Sequence, residues 1–198
     1  MVARAGYLIM VEKIHPEKLL LMTFTRKAAE EMKSRIAQLD KWGKFMSHKI
    51  TAGTFHSIFL RILRSQGYTQ QILSNEKYKH TIVKIFLKEM KLQDNYQPET
   101  LLSILSSQKA KMIEIGNLPE GTAVEKEMKE IFTRYEEWKR RNNFIDFDDI
   151  LLETYKLLRE CGSLLGSLQK RFQYIMVDEA QDMNKIQYEL IGKKKMKY

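Results

Sequence analysis

The run Leu19-Leu-Leu-Met22 is apolar at every position, with no polar residue interleaved. A strand that faces water on one side alternates apolar and polar residues, whereas a strand covered on both faces does not. The run therefore predicts a strand, within Lys18–Thr25, in a sheet that carries helices on both sides. Sheets of that kind are built mainly from parallel strands joined by helical crossovers. Tyr174-Ile-Met-Val177 has the same character, and Ile50–Gly53 supplies a further short candidate.

Around these runs the apolar residues recur at helical spacing. Ala5, Leu8 and Ile9 predict a helix over Val2–Lys13 that no Ser, Thr, Asp or Asn precedes as a cap. His15-Pro16 marks a turn. Arg26–Gln38 reads as a helix with Ala28, Ala29, Met32 and Ile36 toward the sheet, and Phe55, Ile58, Phe59, Ile62 and Leu63 form the stripe of the next one. From about Gln66 to Asn143 the pattern is helical and predicts no strand. Ser74 caps one helix, with Ile82, Val83, Phe86, Leu87 and Met90 as its stripe. Pro98 opens another, at a position where a missing N–H costs little. Gly116 to Gly121 reads as a loop. Val124, Met128, Ile131, Phe132, Tyr135 and Trp138 line a long helix that ends near Asn142 and Asn143. Asp146 then caps a helix over Phe147–Glu160, a short helix covers Leu164–Arg171, and Ile186, Leu190 and Ile191 mark the last. The pattern is α/β at both flanks with an all-helical middle.

Composition narrows the class. The 198 residues are 43% hydrophobic and 30% charged, an ordinary globular balance. No apolar run approaches the ~20 residues that span a bilayer, and the N-terminus lacks the layout of a secretory signal. One cysteine, Cys161, excludes an intrachain disulfide and fits a reducing, cytoplasmic setting. The four histidines offer no zinc spacing. The net charge of +9 fits either an anionic partner such as a phosphate backbone or a solvated basic face. Part of that excess lies in Lys193, Lys194, Lys195 and Lys197.

Two acids, Asp178 and Glu179, directly follow the last apolar strand. In parallel sheets ligands sit beyond the carboxyl ends of the strands. An acid there can hold magnesium through water, and a second can orient and deprotonate a nucleophilic water. The same pair also fits a strand end that merely meets solvent.

Four segments, in order, resemble those of the UvrD/Rep-type superfamily 1 DNA helicases. Met22-Thr-Phe-Thr-Arg-Lys-Ala-Ala-Glu-Glu-Met-Lys-Ser-Arg-Ile36 is similar to motif Ia, Gly53-Thr-Phe-His-Ser57 to the GTFH motif, and Asp146-Phe-Asp-Asp149 to the DFDD segment. Val177-Asp-Glu-Ala-Gln-Asp182, with Asn184 and Gln187-Tyr-Glu-Leu190 behind it, is similar to motif II. The resemblance implies a RecA-like (P-loop NTPase) parallel sheet as motor domain 1A, over 1–66 and 144–191. It implies an all-helical inserted subdomain 1B over 67–143, and residues 192–198 are left as a basic tail.

The resemblance also implies roles. Asp178 would bind Mg2+ through water and, with Asp182, the nucleotide. Glu179 would act as general base, with Gln181 in the catalytic set and, with Asp182, linking the site to neighbouring motifs. Phe24, Thr25, Arg26, Thr54 and His56 would line the path of single-stranded DNA. A base stacked on an aromatic ring contributes about 1–3 kcal/mol whatever its identity, and hydroxyls and cations hold phosphates. Arg26 stands where the family usually has Asn, Ala180 where an aromatic is common, and Met183 where Thr or Ser is usual. The intact parent would use ATP and Mg2+ and move 3′ to 5′ on single-stranded DNA and single-strand/duplex junctions, in the nucleoid, without a membrane.

The G-x-x-x-x-G-K-[ST] loop, whose amides and Lys grip phosphates, has no counterpart. Gly116 and Gly121 have its spacing, but Thr122 replaces the Lys and no strand is expected before it. In the family that loop precedes the helix with which this sequence opens, and a sensor strand follows the last one. The expectation is a motor domain truncated at both ends, without the helicase domains that carry the arginine fingers, and with negligible ATPase activity by itself. A non-catalytic single-stranded nucleic-acid-binding module and a decayed gene fragment are the alternatives.

Overall fold

The structure, a computed structural model, describes residues 1–39 and 43–192. The expected basic tail therefore lies outside the described residues, except for Gly192. The chain forms two compact units, one of residues 1–63 and 154–198, the other of residues 64–153. Among the described residues no helix is long and apolar enough to cross a membrane.

The first unit holds the sheet. Helix α1 (Val2–Met10) and a 3-10 turn (Pro16–Lys18) lead to β1 (Leu19–Thr23), after which come α2 (Arg26–Ala37), α3 (Gly43–Lys49), β2 (Thr51–Thr54) and α4 (Phe55–Ser65). Strand β1 runs parallel to β2 on one side. On its other side it runs parallel to Tyr174–Val177, which enters the chain later as a strand. All five β1 residues are buried. Leu19 and Leu21 pack with Ala5 and Leu8 of α1 and Met32 and Ile36 of α2. Leu20 and Met22, on the opposite face by the two-residue period, are buried as well. The unbroken apolar run thus has its cause in a central, twice-covered strand, and the expected parallel α/β sheet is present.

Helix α1 has no side-chain cap, as the sequence predicts, and it ends at Met10 rather than Lys13. The sequence gives no sign of α3, which buries only Gly43, Met46 and Ser47 and so carries no apolar stripe. A β-carbon on Gly43 would lie 2.6 Å from the carbonyl oxygen of Ile36 and 2.7 Å from that of Ala37, so the close approach of the start of α3 to the end of α2 requires glycine there.

The second unit is mainly helical. It contains β3 (Gln71–Ile72), α5 (Glu76–Glu89), α6 (Pro98–Ala110), α7 (Ala123–Arg141) and β4 (Phe144–Ile145), and it takes in the start of α8 (Phe147–Glu160). Its core joins Ile82, Val83 and Leu87 of α5, Leu101 and Leu105 of α6, and Ile131, Phe132 and Tyr135 of α7.

Four local expectations need correction. The helical middle contains a strand: β3 pairs in parallel with β4, Gln71 opposite Phe144 and Ile72 opposite Ile145. A two-residue bridge is too short to leave an alternating pattern. The cap of α5 is Asn75, whose Oδ1 accepts from Tyr78 N at 3.1 Å, not Ser74. Val124 is exposed on α7, and the Gly116–Gly121 loop begins within a 3-10 turn over Ile115–Asn117. The end of α7 is where the two asparagines predict it. Asn143 adopts a left-handed backbone (φ 57°), which asparagine tolerates better than most residues.

The chain then completes α8 and forms α9 (Gly162–Arg171), β5 (Tyr174–Val177) and α10 (Lys185–Gly192) in the first unit. Asn184 and Gln187 cap α10 reciprocally, each side chain accepting from the other's backbone N–H at 3.0 Å.

Candidate functional site

Because β2, β1 and β5 are parallel neighbours in that order, their carboxyl ends share one edge of the sheet. Thr23 lies beside Thr54, and Met22 lies beside both Gly53 and Val177. Asp178 extends the ladder by donating its N–H to Met22 O at 2.9 Å. The strand ends and following segments that carry Phe24 and Thr25, Thr54 and His56, and Asp178 and Glu179 therefore leave the sheet at the same edge.

Two of these segments turn directly into helices. Thr25 is the N-cap of α2, its Oγ1 accepting from Ala28 N at 3.2 Å. Thr54 holds the start of α4, its Oγ1 accepting from Ser57 N at 3.2 Å. Each hydroxyl oxygen is thus occupied by its helix, while its proton is free to turn toward an acceptor. The first N–H groups of a helix carry partial positive charge and attract anions. Gly53 permits the tight turn into α4: a β-carbon there would lie 2.7 Å from Ser57 Oγ and 3.2 Å from Ile58 Cδ1.

Phe24 is 39% exposed, and its ring centroid lies 5.4 Å from that of Phe55, which is buried. The apolar strand thus ends in an aromatic ring braced from beneath and open above. His56 is half-buried, and burial pushes its imidazole below the ordinary range, toward the neutral form. Arg26 is exposed and reaches Glu30 Oε1 through Nε at 3.1 Å, one helical turn along.

On the acid side, Glu179 sits in a left-handed backbone conformation (φ 50°), uncommon for a residue with a side chain. This turn ends the strand and starts a 3-10 turn over Ala180–Asp182. Gln181 Nε2 donates to Glu179 Oε2 at 2.5 Å, and Asp182 N donates to Glu179 O at 2.9 Å. Asp178 lines a cavity of about 610 Å³ together with Met1, Val2 and Ala3 at the start of α1, and with Glu31 and Arg35 of α2. The sequence flagged the acid, and the motif Ia segment includes Glu31 and Arg35, but nothing in either segment says that α1 and α2 wall the cavity beside Asp178.

The second unit holds a cluster that the sequence did not disclose. Lys109 Nζ lies 2.5 Å from Asp149 Oδ1 and 2.6 Å from Glu136 Oε1. Lys139 Nζ lies 2.5 Å from carboxylate oxygens of both Asp146 and Asp149 and 2.9 Å from Glu136. Asp146 and Asp149 also cap each other's backbone at the start of α8, so the expected cap is present and does more than cap. Burial pushes the Asp146 carboxyl up, but the two ammonium groups outweigh it and hold it well below the usual carboxylate range. Burial would likewise lower Lys109, yet Asp146, Asp149 and Glu136 together raise it well above its ordinary value. The Asp146-Phe-Asp-Asp149 motif marked one side of this cluster. The lysines are contributed from α6 and α7, and nothing in their local sequence sets them apart.

Comparison with known proteins agrees with this architecture. Residues 1–195 match the UvrD/REP helicase N-terminal domain. The chain is 31% identical over 197 residues to the ATP-dependent DNA helicase PcrA of Leuconostoc citreum, covering 96% of this chain and 26% of that protein. It is 33% identical over 196 residues to PcrA of Bacillus subtilis, with 95% and 26% covered. It is 32% identical over 196 residues to DNA helicase II of Haemophilus influenzae, with 95% and 27% covered. The chain thus spans about a quarter of the length of the curated relatives it matches. With its parallel sheet, its helical second unit and a family match along almost its whole length, the chain belongs to the UvrD/REP helicase family, in the region of the N-terminal domain.

Proposed function

We propose that this chain is the DNA-contacting and water-activating part of an ATP-dependent DNA helicase that moves 3′ to 5′ on single-stranded DNA, and that by itself it binds DNA without turning over ATP. The observation that supports this most is the shared carboxyl edge, where Phe24, two capped helix starts and the Asp178-Glu179 pair leave adjacent parallel strands. In this reading residues 1–63 and 154–192 serve as motor domain 1A and residues 64–153 as the inserted domain 1B. Domain 1B would begin three residues before and end ten residues after the limits expected from sequence.

Each side chain has a physical task. Phe24 stacks a base, while Thr25, Thr54 and His56, with Arg26 beside them, donate to phosphates. Asp178 and the open first turn of α1 fit a metal-bound phosphate chain, one as a hard oxygen donor and the other as a source of free N–H groups. Bound Mg2+ would neutralise charge on the phosphates of ATP. Gln181 fixes one oxygen of Glu179, and we assign the other to the proton of the attacking water. Asp182 braces the same turn through its backbone. DNA directs such a protein to the nucleoid.

The reading is tested by fluorescence anisotropy with labelled oligothymidylate and by phosphate release. Binding that weakens steeply with salt, with ATP turnover at background, is the expected result. Absence of binding at low salt, or ATP turnover by the chain alone, would contradict it. Joined to the phosphate loop and second motor domain of Bacillus subtilis PcrA, the chain should support 3′-to-5′ displacement of streptavidin from biotinylated single strands. In that fusion Glu179→Gln should retain nucleotide binding and slow hydrolysis by about 10²–10⁴-fold. Normal turnover would remove Glu179 from the general-base role.

A further inference from the structure

Strand β1 ends in a polar residue at a buried position. Thr23 is only 1% exposed, and by the two-residue period it shares the face of Leu19 and Leu21, where valine would suit the strand equally well. A hydroxyl in such a place is unfavourable unless it is bonded. Thr23 Oγ1 donates to the carbonyl oxygen of Thr25 at 2.8 Å, so the bond spans Phe24, the one residue between them. That carbonyl does not depend on it, because it already accepts the N–H of Ala29 at 3.2 Å at the start of α2. The bond from Thr23 therefore satisfies no orphaned acceptor. Its consequence is geometric: it ties the last residue of the strand to the N-cap of α2 and fixes the backbone on both sides of Phe24.

Phe24 belongs to neither β1 nor α2, and the ladder to β2 ends one residue before it, where Thr23 lies opposite Thr54. Strand pairing therefore does not set its backbone. Rotation there would carry the ring away from Phe55, on which it is braced, and away from the sheet edge. A ring held in place before a base arrives has less freedom to lose on binding, and such preorganisation raises affinity without adding a contact. We propose that Thr23 is a positioning residue for single-stranded DNA: its buried hydroxyl clamps the turn that presents Phe24 to a base. The proposal rests on the reading of Phe24 as a stacking residue and adds to it a residue that acts only through Phe24.

The test is a double-mutant cycle on the 198-residue chain, read by the anisotropy of labelled oligothymidylate. Thr23→Val keeps the branched shape and removes the donor. Because Thr25 O retains the N–H of Ala29, chemical denaturation should show little change in stability. Affinity should fall about threefold to tenfold, the range for ordering one further side chain at binding. Thr23→Ser, which keeps the donor, should bind as the parent does. In a Phe24→Ala background Thr23→Val should bring no further loss, because two substitutions that act through one ring do not add. If Thr23→Val does not fold, Thr23→Ala taken through the same cycle decides. Equal losses in both backgrounds, parent affinity in Thr23→Val, or a loss that Thr23→Ser shares would overturn the proposal and leave the stacking role of Phe24 standing. Parent affinity in Phe24→Ala would instead remove the stacking role and the proposal with it, so the two failures are distinct.

Discussion

The two units use charge in opposite ways. The sheet unit carries 20 Lys and Arg against 10 Asp and Glu, the helical unit 14 against 15. The whole basic excess of the chain therefore belongs to the unit with the parallel sheet. The helical unit, nearly balanced in sum, buries two lysines against three carboxylates. Charge on the first unit is suited to attracting an anion over a distance, and charge in the second fixes local geometry. A net charge read over the full chain blends these uses, which is why it leaves an anionic partner and a solvated face equally open.

The comparison breaks most visibly at Lys139. Replacing it with Met keeps the length of the side chain but leaves Asp146, Asp149 and Glu136 with Lys109 alone. Removing one partner from a buried ionic cluster costs about 3–5 kcal/mol. Chemical denaturation should show a loss of that order. If the cluster serves only local structure, affinity for single-stranded oligonucleotide measured well below the transition should stay within about twofold. A large loss of affinity with the fold intact would mean that the helical unit shares in binding.

Phe24 provides the converse. Phe24→Ala removes an exposed ring, so stability should change little, while affinity for oligothymidylate should fall by the about 1–3 kcal/mol of one stacked base. An unchanged affinity would return Phe24 to the role of an ordinary strand-end residue.

The degree to which sequence revealed these roles follows from their range along the chain. The central strand was legible because twice-covered strands are continuously apolar, and the helices because their stripes repeat within one segment. The edge that gathers Phe24, Thr54 and Asp178 was legible only through four motifs taken together, since strand order is not written in any one of them. The pairing of Gln71 with Phe144, and of Lys109 and Lys139 with the Asp146–Asp149 turn, was not legible. Such contacts join residues that lack a local pattern, and a buried lysine reads as an exposed one until its partners are known.

Acid should separate the units further. Burial disfavours the charged form of His56 in the sheet unit, so its folded pKa lies below the unfolded one. Its contribution is present above the ordinary value of about 6.5 and is lost as pH falls from there through the lower folded value. In the helical unit Asp146 is shifted the same way but from a carboxylate value, so its contribution persists to about pH 4 and declines below. Burial raises Glu136, which binds its proton earlier in the folded state and so offsets part of any loss. Amide exchange followed from pH 7 to 5 should therefore show protection falling first around α4, with α7 unchanged. Equal loss in both would contradict the assignment.

The smallest effect tests the charge difference itself. Arg26 of the sheet unit and Arg141 of the helical unit are both exposed, and each is paired with a Glu four residues away on its own helix. Locally they are equivalent, and their i,i+4 pairs are worth only about 0.3–0.5 kcal/mol. Stability measurements should therefore not distinguish Arg26→Ala from Arg141→Ala. The salt dependence of oligonucleotide binding should. Each phosphate neutralised on a single strand contributes about 0.7 to the slope of log affinity against log salt. Arg26→Ala should reduce the slope by up to that amount and Arg141→Ala should leave it unchanged, because Arg26 opens the helix that leaves the sheet edge where the phosphates would run, while Arg141 belongs to the unit without a basic excess. A similar reduction from both would mean that the nearly neutral unit also contacts the phosphate backbone, and that its local arrangement of charge outweighs its sum.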